Sequence, residues 1–252
     1  MMMMKRSLQI WSWLLVSLMA GAVGPRGNAE SLPKYRPAVL GHHPRSLVNM
    51  IDTQRLLREG QGDAILMFET GVTKYGRSYD SRTYRESAGA EKLRREVLSS
   101  LDHAQFEPAV YNHANVGVYL QGTVNFFVRD GKPHLRIFLH QDDEALRTGR
   151  DFVAPQFAFV PGNPQYKGIY YPQLTRGREG VAAVAVEVNA DGYPQGTQVT
   201  YEHPPGDGAG KNTAGALMRA RFIPGFRDGK PVACRFIWTA IFPGVGRQMK
   251  TG

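Results

Sequence analysis

The sequence predicts an α+β protein made of two small units, each a three-stranded antiparallel sheet with one helix. Three observations carry that prediction. Residues 180–242 read strand, turn, strand, helix, strand. Residues 62–128 read in the same order at almost the same spacing. Asp130-Gly131, Asp191-Gly192 and Asp228-Gly229 each stand between strand-forming runs, and Asp-Gly in that setting is a strong hairpin signal.

At the N-terminus, Lys5 and Arg6 precede an apolar stretch from Leu8 to Val23 broken only by Gln9, Ser12 and Ser17, with small residues at 20–22 and 27–29. That is the pattern of a secretory signal. Residues 1–29 are expected to be cleaved after Ala22 or Ala29, or else to stay as an uncleaved anchor, and the protein to be periplasmic or secreted. Residues 30–60 form a leader with Pro33, Pro37, Pro44 and the pair His42-His43, closing in a short amphipathic helix that carries Leu47, Val48, Ile51, Leu56 and Leu57. Fully extended, such a leader reaches only on the order of 100 Å.

Residues 61–148 make the first unit. Ala64-Ile65-Leu66-Met67-Phe68-Glu69 is a strand, Tyr79 to Arg85 a second, and Ala90 to Ala104 a helix with Leu93, Val97, Leu98 and Leu101 on one face. Phe106-Glu107-Pro108 then leads into a long strand from Val116 to Val128, and a further strand from Pro133 to His140 pairs back after the turn. Asp142-Asp143-Glu144 opens a short helix, where the dipole favours acids.

Residues 149–168, rich in Pro and Gly, read as the linker, with Phe157 to Val160 as a short strand inside it. Residues 169–246 make the second unit: strands at Val181–Val188 and Gln198–Tyr201, a helical face of Ala214, Leu217, Met218 and Phe222, a stop at Pro224, and a last strand from Pro231 to Phe242. Gly62 to Phe106 spans 44 positions and Gly180 to Phe222 spans 42, which points to a diverged internal repeat.

The lead-in Tyr171-Pro172, the run Val188-Asn189-Ala190-Asp191-Gly192, the Arg219-x-Arg221-Phe222-x-Pro224 helix end, Gly229-Lys230-Pro231-Val232 and the closing Ile241-Phe242 follow one another in order. Together they resemble the C-terminal domain of TonB, the energy transducer that couples the inner membrane to outer-membrane receptors. The resemblance implies a last strand whose free edge accepts an extended partner segment. It also implies a binding set of Pro231, Val232, Cys234, Phe236, Trp238 and Ala240, with Tyr171 from the lead-in. The partner it implies is a protein or peptide of the cell envelope, such as an outer-membrane receptor.

Composition narrows the alternatives. A formal charge of +9 over 252 residues suits an acidic partner, but the cations are scattered without a long run, as on an ordinary solvated surface, so no nucleic-acid partner is expected. Cys234 is the single cysteine, which rules out an intramolecular disulfide. The seven histidines lack the spacing of a zinc site, and no metal or cofactor is expected. Pro205-Gly206-Asp207-Gly208-Ala209-Gly210-Lys211-Asn212 fails as a phosphate loop, having Pro205 at the first glycine position and Asn212 at the hydroxyl position. No nucleophile motif is present.

The expectation is a non-enzymatic binding module of the periplasm or extracellular space, touching a membrane only through an uncleaved N-terminus. Two other readings stay open. One is a structural envelope protein whose basic surface meets an anionic wall polymer. The other is a hydrolase, whose sign would be several titratable side chains gathered in one cleft.

Overall fold

A computed structural model of the chain describes residues 31–161 and 179–242. The signal or anchor expected in residues 1–29 and the Tyr171-Pro172 lead-in lie outside the described residues. Among the described residues no helix is long and apolar enough to cross a membrane.

The chain opens with β1 (Tyr35–Arg36), α1 (Leu47–Met50) and α2 (Thr53–Arg58). Next come β2 (Ala64–Val72), β3 (Ser78–Glu86), α3 (Glu91–Leu101), β4 (Ala109–Tyr111), β5 (Ala114–Arg129) and β6 (Lys132–Phe138). A short helix α4 (Asp143–Thr148) leads to β7 (Phe152–Val153) and β8 (Gln156–Phe159). The last part holds β9 (Gly180–Val188), β10 (Pro194–His203), α5 (Ala209–Met218), β11 (Phe222–Ile223), β12 (Gly225–Arg227), β13 (Lys230–Val232) and β14 (Cys234–Phe242).

The architecture corrects the expected fold class. The protein is not two small three-stranded units with one helix each; it is mostly β, organised on an eight-stranded antiparallel sheet. The cause is the length of β5. Its sixteen residues run without a break, so one edge pairs with all of β2 while the other holds three partners in succession. Those are β4 opposite Ala114–Val116, β8 opposite Gly117–Tyr119, and β6 opposite Thr123–Arg129. β8, which falls in the expected linker, also pairs with β11 and so joins the second half of the chain to this sheet. Two three-stranded sheets complete the fold, β10-β9-β14 and β13-β12-β7.

Both halves nevertheless follow one plan. β2 and β9 are nine residues each and 116 positions apart; β4 and β12 are three residues each and also 116 apart. The connecting turns repeat atom for atom. Thr73 N donates to Arg77 O and Gly76 N to Thr73 O, while Asn189 N donates to Tyr193 O and Gly192 N to Asn189 O. Thr73 Oγ1 accepts from the amides of Tyr75 and Arg77, and Asn189 Oδ1 from those of Asp191 and Tyr193. Gly76 and Gly192 both sit at positive φ, where a Cβ would stand 2.1 Å from Phe106 O and 2.0 Å from Phe222 O; only glycine fits such an approach.

Alternation along β5 separates two cores. Val118, Leu120, Val124 and Phe126 face α3 together with Leu66 and Phe68 of β2. Tyr119, on the opposite face, joins Phe157, Trp238 and α5 in a second cluster. In a strand successive side chains point to opposite sides, so this one strand serves both cores.

Candidate functional site

β14 lies at the end of its sheet, paired with β9 in unbroken register from Cys234↔Val188 to Phe242↔Gly180. A single side chain from β5 meets its other edge. Gln121 Nε2 donates to Thr239 O at 3.0 Å, and Thr239 N donates to Gln121 Oε1 at 3.5 Å. The carboxamide thus takes the place that one peptide group of a neighbouring strand would occupy. Because main-chain groups alternate in direction along an antiparallel strand, the amides and carbonyls of Arg235 and Ile237 point the same way as those of Thr239. Among the described residues no main-chain partner meets them on that side.

Gln121 is held by a buried polar chain. Its Nε2 also donates to Glu69 Oε2 at 2.7 Å, and Arg82 Nη2 donates to Glu69 Oε1 at 2.8 Å. Gln141 Nε2 donates to Gln121 Oε1 at 3.0 Å and also to the Tyr84 hydroxyl. Glu69 is 1% exposed; a carboxylate so deep needs charged and hydrogen-bonding partners, and Arg82 and Gln121 are two of them. Burial and the Glu69 charge hold the Tyr84 hydroxyl well above the ordinary tyrosine range, so it stays protonated.

Along the edge from Trp238 back to Arg235 runs a cavity of about 420 Å³, within the usual range for a ligand site. It is lined by Arg235, Phe236, Ile237 and Trp238 of β14, by Phe152, Ala154 and Pro155, and by Gln121, His140 and the start of α4. His140 Nδ1 accepts the Asp142 amide at 3.2 Å, which leaves the proton on Nε2, and burial lowers its pKa from 6.5. Asp142 caps α4 by accepting the Ala145 amide at 2.7 Å, one of the orphan donors of a helix start.

The expected binding residues are placed as follows. Phe236 and Trp238 line the cavity, while Ala240 is fully buried against the second core. Cys234 begins β14, and burial pushes its thiol up to about 11, so it is protonated at neutral pH. Pro231 and Val232 lie on β13, opposite Phe226 and Gly225 of β12, and not on the free edge. The strand breaks at Ala233, where the sequence suggested one run from Pro231 to Phe242. Tyr171 lies outside the described residues.

Sequence reading missed Gln121, Glu69 and Arg82. Their counterparts 116 positions on are Ile237, Ala185 and Gln198, so a charge inside an apolar strand was the one available signal. His140 and Asp142–Glu144 are contiguous in the chain but adjoin β14 only through the tertiary fold. Among the described residues, no group of three or more His, Cys, Asp or Glu could hold a metal ion.

Compared with known proteins, the chain finds no significant match to a family model, a curated protein or a solved structure.

Proposed function

We propose that the chain is a binding module that captures an extended protein segment by adding it as a strand to the free edge of β14, in the periplasm or outside the cell. The observation that carries this reading is the Gln121 carboxamide on Thr239, which fills one main-chain slot while those of Ile237 and Arg235 face the cavity. In strand addition, main-chain hydrogen bonds supply affinity and alternate side chains supply choice. The resemblance to the TonB C-terminal domain points the same way, toward a partner in the cell envelope. No catalytic step is proposed: the cavity gathers His140 and three acids, but Asp142 is committed to its helix cap, and the Cys234 thiol beside it is protonated.

Amide exchange tests the proposal, with a synthetic peptide of the β6 sequence (Lys132–Phe138) as probe. Ile237 and Arg235 should exchange freely alone and gain at least about tenfold protection with the peptide, as newly bonded amides do. Phe236 and Trp238, whose amides face β9, should change little. Peptide binding without protection at Ile237 would rule out strand addition.

A second reading has an observation of its own. The Arg129 and Arg136 guanidinium groups lie 5.8 and 5.6 Å from the Phe127 ring, and His134 stacks on it at 5.0 Å. No acid pairs with these cations among the described residues. This cationic corner suits an anionic wall polymer, and such binding should collapse in high salt.

A further inference from the structure

The cavity has the wrong sign for this protein, and that narrows what it takes. The chain carries +9 overall, yet the cavity rim is Asp142, Asp143 and Glu144, all exposed. Asp143 has no ion pair among the described residues, and Glu144 has only the exposed Arg150 at 3.6 Å. Arg235 is the one cation of the lining, and its guanidinium is turned away to Gln198 Oε1 at 2.8 Å.

Deeper in, two donors lack partners. His140 and Trp238 are each 1% exposed, both line the cavity, and His140 Nε2 and Trp238 Nε1 make no hydrogen bond. A buried N–H left unmade costs free energy, so the site favours a guest that brings an acceptor. A carboxylate would serve the donors but meet the acidic rim. A peptide carbonyl serves them without that penalty, and a cationic side chain on the same segment answers the rim.

The first half of the molecule shows a strand of this kind on the matching edge. β5 is the counterpart of β13 and β14; on that edge the positions matching Arg235–Ile237 are Tyr119–Gln121, where the pairing with β8 ends, and β6 begins two residues on, at Thr123. β6 reads Lys132-Pro133-His134-Leu135-Arg136-Ile137-Phe138, with cationic or titratable residues alternating with apolar ones.

Resting on the strand-addition reading, we infer that the segment captured at β14 is a basic one, an extended peptide with Lys or Arg beside Asp143 and Glu144 and its carbonyls received by His140 Nε2 and Trp238 Nε1. Three peptides test this by calorimetry on the full chain. The first has the β6 sequence, the second has Gln at its Lys, His and Arg positions, and the third has Glu there. The basic peptide should bind about tenfold more tightly than the Gln peptide, the value of two or three rim ion pairs, and the Glu peptide more weakly still. The double variant Asp143→Asn, Glu144→Gln should bind the basic and Gln peptides within about twofold of each other. Equal binding of the three peptides to the wild-type chain would overturn the charge preference while leaving strand addition standing. Binding of none of them would remove both.

Discussion

β5 and β14 are counterparts, yet among the described residues one is paired along both edges and the other is nearly bare along one side. β5 spends its second edge on β4, β8 and β6 in turn. The corresponding edge of β14 meets, among the described residues, the Gln121 carboxamide alone. The difference begins at Ala233, where the second half breaks into β13 and β14 while the first half runs through Gly117 without interruption. An uncovered strand edge is a template for another chain. The proposed strand addition rests on this open edge, which the first half has covered.

The strongest way to break the comparison is proline. The Trp238 amide faces β9, so Trp238→Pro removes a ladder donor in mid-sheet and a buried indole, worth about 3–5 kcal/mol. The β10-β9-β14 sheet should unfold, seen as lost amide protection across β9. Ile237→Pro places the missing donor on the open side, where edge strands tolerate it. It should cost under about 1 kcal/mol in urea denaturation and yet abolish peptide capture.

Next comes the buried carboxylate. Glu69→Ala takes a buried charge partner from Arg82 and one acceptor from Gln121, and should cost about 3–5 kcal/mol. It should also loosen Gln121 from Thr239, detectable as faster exchange of the Thr239 amide. A smaller pair of changes tests the common plan: Gly76→Ala and Gly192→Ala face the same clash and the same positive φ. Each should cost at least about 1–3 kcal/mol, and the two values should agree within about 1 kcal/mol; a neutral effect at either site would separate the two halves.

The smallest effect is in pH. Burial lowers the His140 pKa from 6.5, against a raising influence from Asp142. As pH falls below 6.5 the unfolded chain takes up the proton first, so this contribution is full above 6.5 and declines as pH drops toward the lower folded value. His140→Phe should flatten the melting temperature across that window.

Much of the element order was legible because local rules govern it. Period-two runs at Ala64–Phe68 and Val181–Val188, the helical face Leu93, Val97, Leu101, and the Asp130-Gly131 and Asp191-Gly192 turns all fall where the structure has strands, a helix and turns. The candidate site was legible only in part. Phe236 and Trp238 lie on it, but the free main-chain groups belong to Ile237 and Arg235, because alternation turns those of Trp238 toward β9. Glu69 left one local sign, a charge inside an apolar strand, and Gln121 left none, because whether a polar side chain is buried depends on distant contacts.

By itself the sequence determined the long strands β2, β5 and β9, the α3 and α5 helices, the Asp-Gly turns and the repeated spacing, since each depends on neighbours within a few positions. Only the tertiary structure decided which edges are covered. Whether β8 and β6 settle on β5, and whether His140 and Asp143 come to stand beside β14, depends on contacts between distant stretches of chain, which no local pattern encodes.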